Sequence, residues 1–201
     1  MAPTPPPPFT FTVPASLSAL NVPMATFLQT HPSYDVLASG AFVFDSSNRI
    51  LLLQRASHDT LPNLWETPGG AVDASDSTIL DGVARELWEE AGLVVKAFRE
   101  QVGVGREFRT ARKGLVVFKV EIWVEVESAE HVTLDPDEHQ RFVWAMEEEC
   151  KRGRVGRLGS AEGDGDGGFE IEFTCLEQQE SILEAFRIRK EVEGLPKADR
   201  G

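Results

Sequence analysis

Glu86, Glu89 and Glu90 stand at i, i+3 and i+4. On a helix turning ~100° per residue, such side chains fall within roughly 100° of one another, on one face. Three carboxylates so placed repel one another. The arrangement suits a site where a cation sits between them, and an oxygen-preferring divalent ion such as Mg²⁺ is the usual occupant. A plain solvated acidic face is the competing reading, and the three glutamates alone do not separate the two.

The elements that must position these acids narrow the choice. Thr78 to Ala91 reads as a helix, with Leu80, Val83, Ala84, Leu87 and Ala91 on one apolar face. The glutamates centre ~120° away from that face, so one side docks while the other presents acids. Gly92 ends the helix as a C-terminal glycine. Ahead of it, Pro68-Gly69-Gly70 forces a turn and removes side chains where backbone carbonyls could approach a cation or a phosphate. Arg85, beside the acids, can orient a carboxylate by a paired hydrogen bond.

Together these residues resemble the Nudix (MutT-like) hydrolases, whose motif is Gly-x5-Glu-x7-Arg-Glu-U-x-Glu-Glu-x-Gly-U, with U bulky and apolar. The chain supplies Gly70, Arg85, Glu86, Leu87, Glu89, Glu90, Gly92 and Leu93. Leu51-Leu52-Leu53-Gln54-Arg55 and Trp65-Glu66-Thr67-Pro68-Gly69-Gly70 look like the family's strands ahead of the motif. The resemblance extends over residues 36–146. It departs in two places. Asp76 stands where the motif has its first Glu, and eight residues rather than seven separate it from Arg85. The loop is therefore one residue longer.

The resemblance implies an α/β (α+β) fold, a Nudix-type α/β/α sandwich with a mixed central sheet. It would occupy residues 31–195. A Pro-rich tail and N-terminal extension over residues 1–30 precede it, and a Gly/Asp-rich stretch at 153–168 reads as a disordered insertion. The implied activity is metal-dependent cleavage of a pyrophosphate bond in a nucleoside diphosphate linked to another moiety. The alternative is a catalytically silent Nudix-fold module that binds a nucleotide. An isomerase on the same fold needs an added catalytic Cys, and Cys150 and Cys175 lie too late in the chain.

By the same resemblance, Glu86, Glu89 and Glu90 would ligate Mg²⁺ or Mn²⁺, with the carbonyl of Gly69 as a further ligand. Arg85 would hold these acids in register. Glu86, or an acid outside the motif, would serve as general base. Asp137 and Glu138 are the candidates for that outside acid. Glu66 would ligate or brace, Arg55 would contact phosphate, and Gly70 would lie beside the substrate. The motif's first acid, here Asp76, would brace the loop against the helix.

With 20 Lys+Arg against 33 Asp+Glu, the net charge is −13. That disfavours a broad electrostatic grip on nucleic acid or an anionic membrane, RNA decapping included. It does not disfavour a small phosphorylated metabolite or nucleotide, because bound cations invert the local charge. A homodimer fits the same picture. The two cysteines are too few for a disulfide framework and read as free thiols. The first residues lack the basic and apolar regions of a signal peptide, and no apolar run approaches a membrane span, so a cytoplasmic or nucleocytoplasmic placement is expected.

The remaining elements are coarser. Val36 to Phe44 and Ile50 to Gln54 read as a hairpin about Asp45-Ser46-Ser47-Asn48. Val94 to Val104, Leu115 to Val126 and Phe142 to Trp144 read as strands. Pro23 to Thr30 and Leu176 to Val192 read as helices. Residues 1–14 are expected to be extended or disordered. Gly105 to Gly114 reads as a loop carrying the basic cluster Arg106, Arg109, Arg112 and Lys113. His58, His131 and His139 are read as surface residues, and Trp65 and Trp88 as packing residues.

Overall fold

Runs rich in β-branched and aromatic residues form most of the strands, and the pleat sorts their side chains between two cores. In the computed structural model, which describes residues 7–156 and 168–194, strands β1 (Val36–Val43), β4 (Val95–Gln101), β5 (Arg106–Arg109) and β6 (Val116–Val126) form a mixed sheet. β1 runs parallel to β6, with Val36 opposite Val117 and Val43 opposite Val124. β4 and β5 share the other edge of β6, both antiparallel to it. Strands β2 (Ile50–Arg55), β3 (Trp65–Glu66) and β7 (His139–Ala145) form a second, antiparallel sheet in the order β3-β2-β7.

Alternate residues of β6 enter different cores. Val120, Ile122 and Val124 join the cluster that receives helix α2 (Ile79–Ala91). Trp123 joins the cluster that receives the closing helix α4 (Leu176–Glu193), through Ile182, Ala185 and Phe186. The sheets are thus layered between helices, in agreement with the expected sandwich. Each fully buried Leu, Val or Ile of these clusters contributes about 1.5–3 kcal/mol relative to exposure. The apolar face foreseen for α2 is the buried one: Leu80, Val83, Ala84, Leu87 and Ala91.

The hairpin expected between residues 36–44 and 50–54 is not what forms. Asp45 closes the turn by accepting from the backbone N–H groups of Ser47 and Arg49, and Phe44 bridges Ile50. The strands then part into different sheets. Their apolar residues explain it: Leu37, Ala41, Phe42 and Val43 bury both faces of β1, as do Ile50 to Leu53 in β2. A strand apolar on both faces needs cover on both sides, which a two-stranded ribbon cannot supply.

Other readings also change. The segment taken as a loop at 105–114 contains β5, which folds back on β6 as a hairpin. Glu147 to Arg152 form helix α3, following α1 (Met24–Thr30) in chain order, with acids in its first turn and Lys151 and Arg152 in its last. Those charges complement the helix dipole at both ends. Residues 7–14 are held: Thr12 bridges Ala97, and the Phe11 ring meets Phe98 edge-on at 4.8 Å. Two further short strands, β8 (Arg154–Val155) and β9 (Phe169–Glu170), pair across the base of the Gly/Asp-rich stretch. Residues 157–167 of that stretch, and residues 1–6 of the tail, lie outside the described residues. Cys150 and Cys175 are free. Among the described residues, no helix is long and apolar enough to cross a membrane.

The turn ahead of α2 is laid directly along β1. Ala41 N–H donates to the Pro68 carbonyl and Ser39 N–H to the Gly70 carbonyl, both at 2.8 Å. Between them Gly69 adopts φ +146°, and a Cβ there would lie 2.3 Å from the Ser39 carbonyl oxygen. Gly69→Ala therefore combines backbone strain with a clash against a strand, and should lower the unfolding free energy by at least ~2 kcal/mol. Denaturant titration measures this, and an unchanged midpoint would refute the account.

Candidate active site

Thr78 starts α2 by accepting a hydrogen bond from the Asp81 N–H at 3.1 Å. Gly92 stops it in the left-handed region, φ +67°. Between these ends the acid-bearing face is organised around Arg85. Its Nε and Nη2 reach the two oxygens of Asp76 at 2.9 and 3.0 Å. Its Nη1 donates to Glu86 Oε1 at 2.9 Å and Glu89 Oε2 at 2.8 Å. Nη2 also donates to the Ala71 carbonyl at 2.8 Å. One guanidinium thus ties both ends of the longer loop to the helix. Asp76 performs the bracing expected of the motif's first acid, despite its different type and spacing. Asp76 Oδ2 also accepts from Asp73 N–H at 2.8 Å, which closes the loop on itself.

The three motif glutamates point to different environments. Glu89 is the exposed one, 47% accessible, and swings back to Arg85. Glu86 is mostly buried. Its carboxylate packs so close to Gly70 that a Cβ on Gly70 would lie 2.6 Å from Oε2. Glu90 is 5% accessible and accepts a 2.7 Å hydrogen bond from the Gly69 N–H. The expected metal ligand Gly69 therefore meets Glu90 through its amide.

Glu90 faces a second group of residues, contributed by the smaller sheet. Cross-strand register puts Glu66 of β3 opposite Leu53, and His139 of β7 opposite Arg55, so both flank β2. Glu66 Oε1 accepts from Arg55 Nη1 at 2.5 Å and lies 3.3 Å from His139 Nε2. A carboxylate oxygen of Glu90, one of Glu138 and a ring nitrogen of His139 lie within 4.8 Å of one another.

Arg55, expected to contact phosphate, is engaged on all three nitrogens: by Glu66, by Asp59 and by the Thr60 carbonyl. One of these bonds anchors Glu66. Glu138 is exposed and joins the group, whereas its neighbour Asp137 does not. Gly70 lies in the site against Glu86. His139 is a correction: read as a surface residue, it is 1% accessible and belongs to the site. Nothing local in the sequence marks it, because its neighbours are fixed by pairing across strands.

The electrostatics sort the acids. Burial raises the Glu86 carboxyl to about 7, against the opposing pull of Arg85 and with the repulsion of Glu89 and Glu138 added. Burial likewise raises Glu90 well above the ordinary range, despite the Gly69 amide, and the charges of Glu66, Glu86 and Glu138 push the same way. Glu66 is also buried, yet the hydrogen bond from His139 and the charges of Arg55 and Lys119 bring it below its ordinary value. The site thus holds one firmly ionised carboxylate beside two that retain their protons more strongly. Such a pocket gains most from an added cation.

The NUDIX domain model matches residues 35–158. The chain belongs to the NUDIX family. It is 47% identical over 55 residues to the m7GpppN-mRNA hydrolase NUDT17 of Bos taurus, a match covering 26% of the chain and 18% of that protein. It is 30% identical over 110 residues to the CTP pyrophosphohydrolase of Escherichia coli K12, covering 55% of the chain and 76% of that protein. The fold is that of a Caenorhabditis elegans Ap4A hydrolase, with a TM-score of 0.54 at 18% identity over 78% of this chain and 99% of that one. The NUDIX match includes both halves of the site, the motif helix and the Glu138-His139 strand end.

The raised Glu86 carboxyl links the site to stability. The folded state holds that proton more tightly than the unfolded chain, whose value is 4.5. Its contribution is full below pH 4.5 and is lost as pH rises through about 7. Glu90 acts in the same direction. In the presence of a chelator, Tm should fall across this window, and Glu86→Gln should flatten the decline. An equal slope in both proteins would show that Glu86 is not the group responsible.

Proposed function

We propose that this NUDIX protein is a divalent-cation-dependent hydrolase that cleaves a pyrophosphate bond in a nucleoside diphosphate linked to another moiety. The observation that carries the reading is the set of buried, mutually repelling carboxylates on α2, braced by Arg85 beside a turn with side-chain-free glycines. Relatives named for CTP and for m7GpppN-mRNA support it, since both of those molecules carry phosphoanhydride bonds. The net charge of −13 favours a small nucleotide over RNA.

The residues fit a hard cation. Oxygen donors dominate, and burial without enough positive charge raises the Glu86 and Glu90 carboxyls above their ordinary range. Glu86, Glu89 and Glu90 would hold Mg²⁺ or Mn²⁺, with the Gly69 carbonyl beside them. Such an ion supplies neutralising charge to the phosphates. The chain's own residues do the rest. Arg85 keeps the loop and the helix acids in one arrangement. Glu86, made anionic by the bound cation, would take the proton of the attacking water. Gly69 and Gly70 let the substrate chain approach the backbone, and Arg55 holds Glu66 ionised behind the site.

A panel of nucleoside diphosphate derivatives with Mg²⁺ tests the reading, comparing wild type with Glu89→Gln. Glu89 is exposed, so the substitution should leave the fold intact. Phosphoanhydride hydrolysis should fall at least ~100-fold. Equal activity would remove Glu89 from the metal set, and no hydrolysis of any panel member would favour a binding module instead.

A further inference from the structure

The cluster on the smaller sheet contains a group that the motif chemistry does not use. We propose that His139 supplies a nitrogen ligand to a divalent cation held jointly with Glu90 and Glu138. This rests on the metal-dependent reading above and adds to it a ligand from outside the motif helix.

Three observations converge. The ligand atoms of Glu90, Glu138 and His139 lie within 4.8 Å of one another. Small side-chain movements would bring three atoms so spaced within the bond length of one ion, about 2.0–2.4 Å. His139 is buried, and its Nδ1 has no hydrogen-bond partner. A buried polar atom without a partner costs about 1–3 kcal/mol, so its retention calls for a reason. Its other nitrogen, Nε2, meets Glu66, which Arg55 anchors in turn. A carboxylate on one ring nitrogen is the usual means of orienting an imidazole that ligates metal.

The chemistry also sets a preference. Imidazole binds borderline ions better than hard ones, so this subsite should favour Co²⁺ or Zn²⁺ over Mn²⁺ and Mg²⁺. Glu90 is shared between this subsite and the motif acids, so an ion here would sit at the edge of the helix site.

Pulsed EPR on the full chain loaded with Mn²⁺ provides the test, because it detects nitrogen coordinated to the metal directly. Wild type should show ¹⁴N modulation, and protein labelled with [¹⁵N]histidine should show ¹⁵N in its place. His139→Gln should lose the signal and weaken Mn²⁺ binding at least ~10-fold, while His58→Gln, at an exposed position nearby, should keep it. If the buried substitution fails to fold, the labelled wild type identifies the nitrogen as a histidine's, and persistence of the signal in His31→Gln, His58→Gln and His131→Gln leaves His139 as its source, whereas its loss in any one of them overturns the proposal. Mn²⁺ bound with oxygen coordination alone, or a nitrogen signal that persists in folded His139→Gln, overturns the proposal and leaves the motif metal site standing. Absence of any Mn²⁺ binding overturns both.

Discussion

Arg85 is the constraint on which the site depends. It meets Asp76, Glu86, Glu89 and the Ala71 carbonyl at hydrogen-bond distance. A guanidinium can do this because its five donors lie in one rigid plane; a lysine ammonium has no such fork. The result is a cross-link between a strand-hugging turn, a loop and a helix. The turn is fixed on β1 through the Pro68 and Gly70 carbonyls. Arg85 joins Asp76, near the loop's far end, to the acid-bearing face. The two departures from the family motif then offset each other. Asp76 is one methylene shorter than glutamate, and the loop that carries it is one residue longer. The extra backbone brings the shorter side chain to the same guanidinium.

Charge is distributed unevenly around this cross-link. Glu66 has Arg55, Lys119 and His139 near it and stays ionised. Glu86 shares Arg85 with other acids, and Glu90 has one backbone amide. Burial raises all three, and Glu66 alone is brought below its ordinary value because His139, Arg55 and Lys119 together outweigh that burial. The difference gives the site two kinds of oxygen: one already anionic, and one that becomes anionic when a cation arrives.

What was legible in the sequence is what is local. The limits of α2 followed from Thr78, the apolar spacing and Gly92, all within one helix. The turn at Pro68-Gly69-Gly70 was readable because its residue types force a turn by themselves, wherever the neighbouring strand that crowds Gly69 and the Glu86 side chain that crowds Gly70 come from. The pairing of β1 and β2 was misread because a turn signal between two apolar runs specifies only that the chain reverses. Which strands then pair depends on how many faces need cover, and that is settled by α2, α4 and β6 together. The short helix at Glu147–Arg152 was missed for a related reason: six residues carry too little periodicity to stand out, and its dipole-matched charges show only once the helix is seen.

The same division runs through the site. Glu86, Glu89, Glu90 and Arg85 belong to a single helix, so their spacing encodes their proximity. Glu66 and His139 lie 73 positions apart and meet because each flanks β2. Their encounter also needs the register shift between Gln54 and Arg55, which sets His139 opposite Arg55. A slip of one residue in β7 would turn His139 to the other face of the sheet and replace it with a neighbour of different chemistry. The helix half of the site therefore tolerates changes elsewhere in the fold, whereas the sheet half exists only while three strands keep their register. The burial of Ile50 to Leu53 and Trp65 in the strands between them is what enforces that register. The packing of the core thus decides which nitrogen stands beside Glu90.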